Sequence, residues 1–169
     1  MKKLLIVLGL TLLAALAGCG GTGGGTAAPA DMEAMQEALL AADPSLPEML
    51  SVTSKVDDAK KLFTYLSDLD YEKVSGYLLS YASSGTADEI AVIEVKDPAD
   101  AGDAKASLER HKADRLKLFQ TYGPDEAARV EQGVVAAVGD RYAVLIICDD
   151  TDSVMDAVNA YLNGLSKDG

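Results

Sequence analysis

The most specific chemistry in the chain is predicted for the segment Leu16-Ala17-Gly18-Cys19. The two small residues before the cysteine allow an extended backbone to enter a peptidase, and the thiol of Cys19 can form a thioether to diacylglycerol. Lys2, Lys3 and an uncharged, mainly aliphatic run from residue 4 to 17 precede it. That run is shorter than the ~20 residues that span a bilayer and is typical of a secretory signal. We therefore predict cleavage before Cys19 and a lipid on it; the alternatives are a signal with an incidental cysteine or an uncleaved anchor helix.

A run of aspartates is the best candidate for an ion site. Hard oxygen ligands at alternating positions suit Ca²⁺, and the chain offers Asp149, Asp150, Asp152 and, one turn on, Asp156. The run lacks the glycine and the terminal glutamate of a calcium-binding loop. It also lies where a helix N-terminus favours acidic residues. We predict helix capping, keep these four residues as a weak metal site, and expect no cofactor.

Two other residues could take part in catalysis. His111 is the only histidine, and its nearest carboxylates in sequence belong to Glu109 and Asp114. A general base needs a partner within hydrogen-bond reach, and no nucleophile is obviously placed for it, so a half-buried helix residue is expected. Cys148 is expected to be a buried structural thiol, because burial and neighbouring carboxylates raise the pKa of a thiol. The common hydrolase and redox motifs are absent from the sequence, so we expect no enzyme and no catalytic residue.

Four tyrosines lie close together in the sequence: Tyr65, Tyr71, Tyr77 and Tyr81. In a strand, Tyr77 and Tyr81 would share one face with Leu79. Packing in the core or at a sheet edge is the favoured role, and a ligand platform is the alternative.

The charge of the chain limits its partners. The net charge is −12, from 15 basic and 27 acidic residues. Removal of Lys2 and Lys3 with the signal leaves 13 basic residues and a charge near −14. A nucleic-acid partner would need a basic face and is not expected. Anionic headgroups would repel the domain, so the lipid must supply the affinity for the membrane.

The N-terminal part of the chain is predicted to have three segments: a signal peptide over 1–18, a lipidated cysteine and glycine-rich tether over 19–30, and helices over 31–72. The tether has an expected reach of about 15–20 Å. Two helices are expected, at Asp31–Ala42 and Lys55–Ser67, with Pro44 and Pro47 breaking the first.

The rest, residues 73–165, is predicted to be an α+β domain. Strands are expected at 74–83, 89–96, 133–138 and 141–148, and helices at 97–122, 124–132 and 151–162. The order β-β-α is repeated, and Ala91-Val92-Ile93 matches Ala143-Val144-Leu145 at an offset of 52. We expect a pseudo-repeat that forms a two-layer domain with a four-stranded, mainly antiparallel sheet under two helices.

The last predicted strand needs other elements to pack against both of its faces. Residues 142–148 are apolar at every position, so both faces of this strand should be buried. The two C-terminal helices can cover only one face. We expect the N-terminal helices to cover the other; the alternative is a protein partner or a homodimer on an open sheet face.

Four stretches resemble a known family: Ala87–Lys96, Leu108–Arg110, Tyr122–Glu126 and Tyr142–Ile147. Together they are similar to the domain-of-unknown-function family number 4358, over about residues 45 to 163. The resemblance implies small surface lipoproteins of Gram-positive bacteria without an assigned activity, so it carries over no catalytic residue. The expected function is a non-enzymatic interaction or accessory domain, anchored to the extracytoplasmic side of the cell membrane. The alternative is a lipoprotein that binds a small ligand or Ca²⁺.

Overall fold

The computed structural model describes residues 29–165. The predicted signal peptide, Cys19 and the glycine-rich segment as far as residue 28 lie outside the described residues. No helix in the described part is both long enough and apolar enough to cross a membrane.

The described chain forms five strands and five α-helices, with two short 3-10 helices. The strands are β1 (Met49–Thr53), β2 (Val74–Ala82), β3 (Glu89–Val95), β4 (Val134–Val138) and β5 (Tyr142–Ile147). The helices are α1 (Met32–Ala42), α2 (Ala59–Phe63), α3 (Ala101–Tyr122), α4 (Pro124–Gln132) and α5 (Thr151–Leu165). The 3-10 helices are Tyr71–Lys73 and Pro98–Asp100.

The strands form one antiparallel sheet in the order β1-β2-β3-β5-β4. The β2–β3 and β4–β5 hairpins turn at Gly85 (φ 80°) and Gly139 (φ 59°), where a positive φ favours glycine. The predicted α+β class and antiparallel sheet are therefore confirmed.

The predicted number of strands is wrong, because β1 adds a fifth. This strand pairs with β2 in the register Leu50↔Tyr81 and Val52↔Leu79. It has only five residues and follows Pro47 closely, so its alternation is too short to be recognised without its partner. The second predicted helix is also shorter than expected, since only Ala59–Phe63 of residues 55–67 is α-helical.

Helices cover both faces of the sheet, so the fold has three layers rather than the predicted two. On one face, α2, α3 and α4 pack against a cluster that includes Ala91, Ile93 and Leu145. On the other, α1 and α5 pack against Val92 and Ile146. Both faces of β5 are covered within the chain, but the expected division is wrong: α5 lies with α1 on one face, and α3 lies with α2 on the other. The pseudo-repeat is not confirmed, because α3 and α5 lie on opposite faces.

The N-terminal end of the described chain is fixed on the α1/α5 face. The N–H of the buried Ala30 donates to Glu94 Oε2 at 3.1 Å, and the hydroxyl of Tyr161 donates to Asp31 O at 2.9 Å. The side chain of Asp31 also accepts from the N–H groups of Glu33 and Ala34, which caps α1.

Candidate functional site

An open cleft lies on the α3 side of the sheet. Helix α3 packs mainly over β3, β5 and β4, which leaves β1 and the end of β2 beside it with little cover. Leu50 is 47% exposed and pairs with Tyr81, which is also partly exposed. We call this the Tyr81 cleft; its sheet wall is formed by Leu50, Val52, Leu79 and Tyr81, and its helix wall by Arg115, Leu118, Phe119 and Tyr122.

The Tyr81 cleft contains two cavities that share Tyr81 and Arg115. The larger, about 530 Å³, lies between Leu50 and Tyr122 and reaches the β2–β3 turn. The smaller, about 320 Å³, is lined by Val52, Leu62, Tyr65, Leu79, Glu89 and His111 besides the shared pair. Tyr65 lines the smaller cavity and Tyr122 the larger one, and both side chains are highly exposed, at 68% and 83%. A cleft of this size with aromatic walls is typical of a binding site.

A buried carboxylate organises the polar groups of the smaller cavity. Glu89 is the first residue of β3, and its side chain is only 3% exposed. Its Oε1 lies 2.6 Å from Nε2 of His111, and its Oε2 lies 3.0 Å from Nε of Arg115. A buried carboxylate needs such partners because its charge is poorly solvated. His111 and Arg115 are one helical turn apart on α3, so one face of the helix presents both.

Arg115 is held by three contacts with different geometry. Its Nη2 donates to Ala87 O at 3.3 Å, and its guanidinium lies 5.0 Å from the ring centroid of Phe119. The contact with Glu89 is an ion pair without hydrogen-bond alignment, so Nε has no hydrogen-bond partner among the described residues. The guanidinium is thus fixed in place with one donor unused.

The pairing of His111 with Glu89 was not visible in the sequence. His111 is half-buried, as predicted, but its partner is on β3 rather than at Glu109 or Asp114. The available signal was a glutamate at the start of a mainly apolar strand. Among the described residues, no serine or cysteine lines the smaller cavity. The arrangement can orient a bound group in this cavity. His111 also lines a second cavity, of about 220 Å³, together with Ser67 and Ser107.

The four aspartates near α5 have separate roles. Asp150 caps the helix, accepting from the N–H and Oγ of Ser153 at 3.0 and 2.8 Å. Asp149 pairs with Nη1 of Arg129 at 3.1 Å, and Asp152 and Asp156 are exposed on α5. Within residues 29–165 no group of three or more His, Cys, Asp or Glu residues is placed to hold a metal.

Cys148 and the tyrosines divide between core and cleft. Cys148 is a buried free thiol, and burial, followed by the carboxylate of Asp43, raises its pKa to about 12. Tyr77 is fully buried and donates to Ala59 O at 2.8 Å; burial raises its pKa to about 12. Tyr71 packs on Phe63 with ring centroids 5.3 Å apart. Tyr65 and Tyr81 instead line the cleft, so the core prediction holds for only part of the cluster.

Comparison with known proteins gives one match. No curated protein and no solved structure matches the chain. The model of a family described as a domain of unknown function (DUF4358) matches residues 48–148, which include all five strands, α3 and both walls of the Tyr81 cleft. The suspected resemblance is confirmed, and the chain belongs to the DUF4358 family.

Proposed function

We propose that the protein is an exported lipoprotein whose domain binds a partner outside the cell and catalyses no reaction. The lipid on Cys19 would hold it to the extracytoplasmic side of the cell membrane, with the two acyl chains of a diacylglycerol giving stable attachment. The single observation that supports the binding role is the Tyr81 cleft.

The composition of the cleft favours binding. Exposed tyrosines in one concave surface are typical of the centres of protein interfaces, where aromatic side chains supply much of the affinity. The cleft presents Leu50, Tyr81, Leu118 and Tyr122 together. Its polar floor is largely satisfied internally by the ion pairs of Glu89, which suits a rigid recognition surface.

The position of the proposed anchor is compatible with this role. The segment that follows Cys19 reaches the domain at Ala30, which packs on the α1/α5 face. The Tyr81 cleft lies on the other face of the sheet. A partner could therefore reach the cleft without passing the point of attachment.

Position-specific crosslinking on intact cells tests the proposal. A photoreactive amino acid would replace Tyr122 in the cleft and, as the matched control, Asn159, which is exposed on α5 on the opposite face. We expect a discrete protein adduct from position 122 and none from position 159. Identical adducts at both positions, or no adduct together with hydrolytic activity of the purified protein, would contradict the proposal.

A small ligand is the second candidate, because the smaller cavity, at about 320 Å³, falls in the range of small-molecule sites. Native mass spectrometry of the protein from its own host would reveal a bound molecule. The substitution Val52→Trp fills this cavity and should remove such a molecule. A bound molecule that is lost in V52W would favour this candidate over the protein partner.

A further inference from the structure

The outer edge of β1 has unused backbone groups. Within the described chain β1 is an edge strand and pairs with β2 alone. Two hydrogen bonds, Ser54 N to Tyr77 O at 3.0 Å and Ser83 N to Glu48 O at 2.9 Å, define which residues bond to β2. Because antiparallel pairs alternate, residues 50 and 52 also face β2. The N–H groups of Met49, Ser51 and Thr53 therefore point away from β2. Met49 and Ser51 are partly exposed, whereas Thr53 is buried and its carbonyl oxygen accepts from the N–H of Val56, so Met49 and Ser51 are the available residues.

This edge adjoins the Tyr81 cleft. The side chains of Leu50 and Val52 line the cleft, and the backbone between them points outward. Edge strands are usually guarded by charged residues, proline or a bulge. The sequence Met-Leu-Ser-Val-Thr of β1 has no charge and no proline, and its register with β2 is continuous. An added strand would thus extend the sheet and place every second side chain in the cleft.

The negative charge of the molecule favours a basic partner segment at this edge. The mature chain carries about −14. The carboxylates in the cleft are already ion-paired, Glu89 with Arg115 and Glu126 with Arg129, so the net charge of the whole molecule provides the attraction for cations. Other cations of α3 are engaged: Arg110 pairs with Asp68, and Lys117 pairs with Asp114. Such a field attracts a basic partner and repels a second copy of the same chain.

We propose that the Tyr81 cleft and the β1 edge bind an extended, basic segment of another protein by strand addition. Its backbone would bond to Met49 and Ser51, its apolar side chains would enter the cleft, and its alternate lysines or arginines would face away from the cleft. This inference rests on the proposed binding function and adds to it the mode and the charge of the partner.

A pair of synthetic peptides tests the mode and the charge. One peptide alternates valine and tyrosine with lysine, and its match has glutamate at each lysine position. The protein would be the full mature chain with Cys19→Ser, which needs no lipid. We expect the lysine peptide to bind at least ten-fold more tightly than the glutamate peptide and to slow amide hydrogen exchange at Met49 and Ser51. Equal binding of the two peptides, failure of both to bind, or unchanged exchange at these amides would overturn the inference.

A matched pair of variants tests the edge itself. Ser51→Pro removes an outward N–H that β2 does not use, and Ser51→Ala removes only the hydroxyl bond to Ser80, whose oxygen lies 2.7 Å away. We expect S51P to weaken binding of the lysine peptide at least ten-fold and S51A to preserve it. If S51P does not fold, amide exchange in the unsubstituted chain, measured with and without the lysine peptide, still tests whether the peptide pairs with β1. An adduct at position 122 that persists in folded S51P would overturn strand addition and leave the proposed binding function intact.

Discussion

Glu89 has the most demanding environment of the residues in the cleft. Its carboxylate is buried beneath the cleft, and it contacts both His111 and Arg115. Removing one partner of a buried charge pair is costly because the other charge remains without compensation. The residue therefore couples the stability of the fold to the shape of the cleft.

Neutralising this carboxylate should destabilise the protein. We expect Glu89→Gln to lower the free energy of unfolding by about 3 kcal/mol, because Arg115 loses its counter-charge. Urea denaturation measures this effect. Glu109→Gln, on the exposed surface of α3, is the control and should change stability by less than ~0.5 kcal/mol. Wild-type stability in E89Q would show that Glu89 does not compensate Arg115.

At the scale of the elements, the junction between α4 and β4 depends on Gly133. Of the glycines in the described chain, Gly133 leaves the least room for a Cβ atom. A Cβ on Gly133 would lie 2.8 Å from Cγ1 of Ile147 and 3.0 Å from the carbonyl oxygen of Ile146. These contacts join α4 to β5 through backbone atoms that cannot move aside easily. The position of β4 beside β5 therefore depends on the absence of a side chain at residue 133.

A pair of alanine substitutions tests this packing. We expect Gly133→Ala to destabilise the protein by about 1–3 kcal/mol through overpacking. Gly102→Ala, on α3, meets nothing within 4 Å and should be neutral or stabilise by up to about 1 kcal/mol, because alanine restricts the unfolded chain. Thermal melting of both variants measures the difference. Equal melting temperatures would mean that the α4–β4 junction relaxes without cost.

Element predictions from the sequence succeeded where the signal was local. The turn glycines Gly85 and Gly139 and the caps Asp31 and Asp97 are local signals of this kind, since each depends only on neighbouring residues. Strand β1 was missed because it is recognisable as a strand only from its hydrogen-bonded pairing with β2. Among the site residues, His111, Tyr65 and Tyr81 were singled out, but Glu89 was not. Its partner lies 22 residues away, so only the packing of α3 on β3 brings the two together.

At the scale of the whole molecule, the two helical layers lie on opposite faces of the sheet and have different proposed roles. The α1/α5 layer receives the N-terminal segment through Ala30 and Glu94. The α3 layer leaves the Tyr81 cleft open beside β1. In the proposed anchored state, attachment and binding would thus use opposite faces of one rigid sheet.

Substitution of the proposed lipid-bearing residue tests the anchored state. We expect Cys19→Ser to abolish metabolic labelling with radioactive palmitate and to move the protein from the membrane fraction to the soluble one. Cys148→Ala, which removes the other cysteine, should keep both the label and the membrane location. Labelling that survives in C19S and disappears in C148A would refute lipidation at residue 19.

The sequence by itself determined the α+β class, the two hairpins, the family resemblance and the need to bury both faces of β5. These properties follow from local turn chemistry, from hydrophobic periodicity and from residue identities. The tertiary structure decided which helices cover which face, added β1, and brought Glu89 to His111 and Arg115. The physical reason is that these features depend on strand register and helix docking between distant segments, which local patterns do not encode.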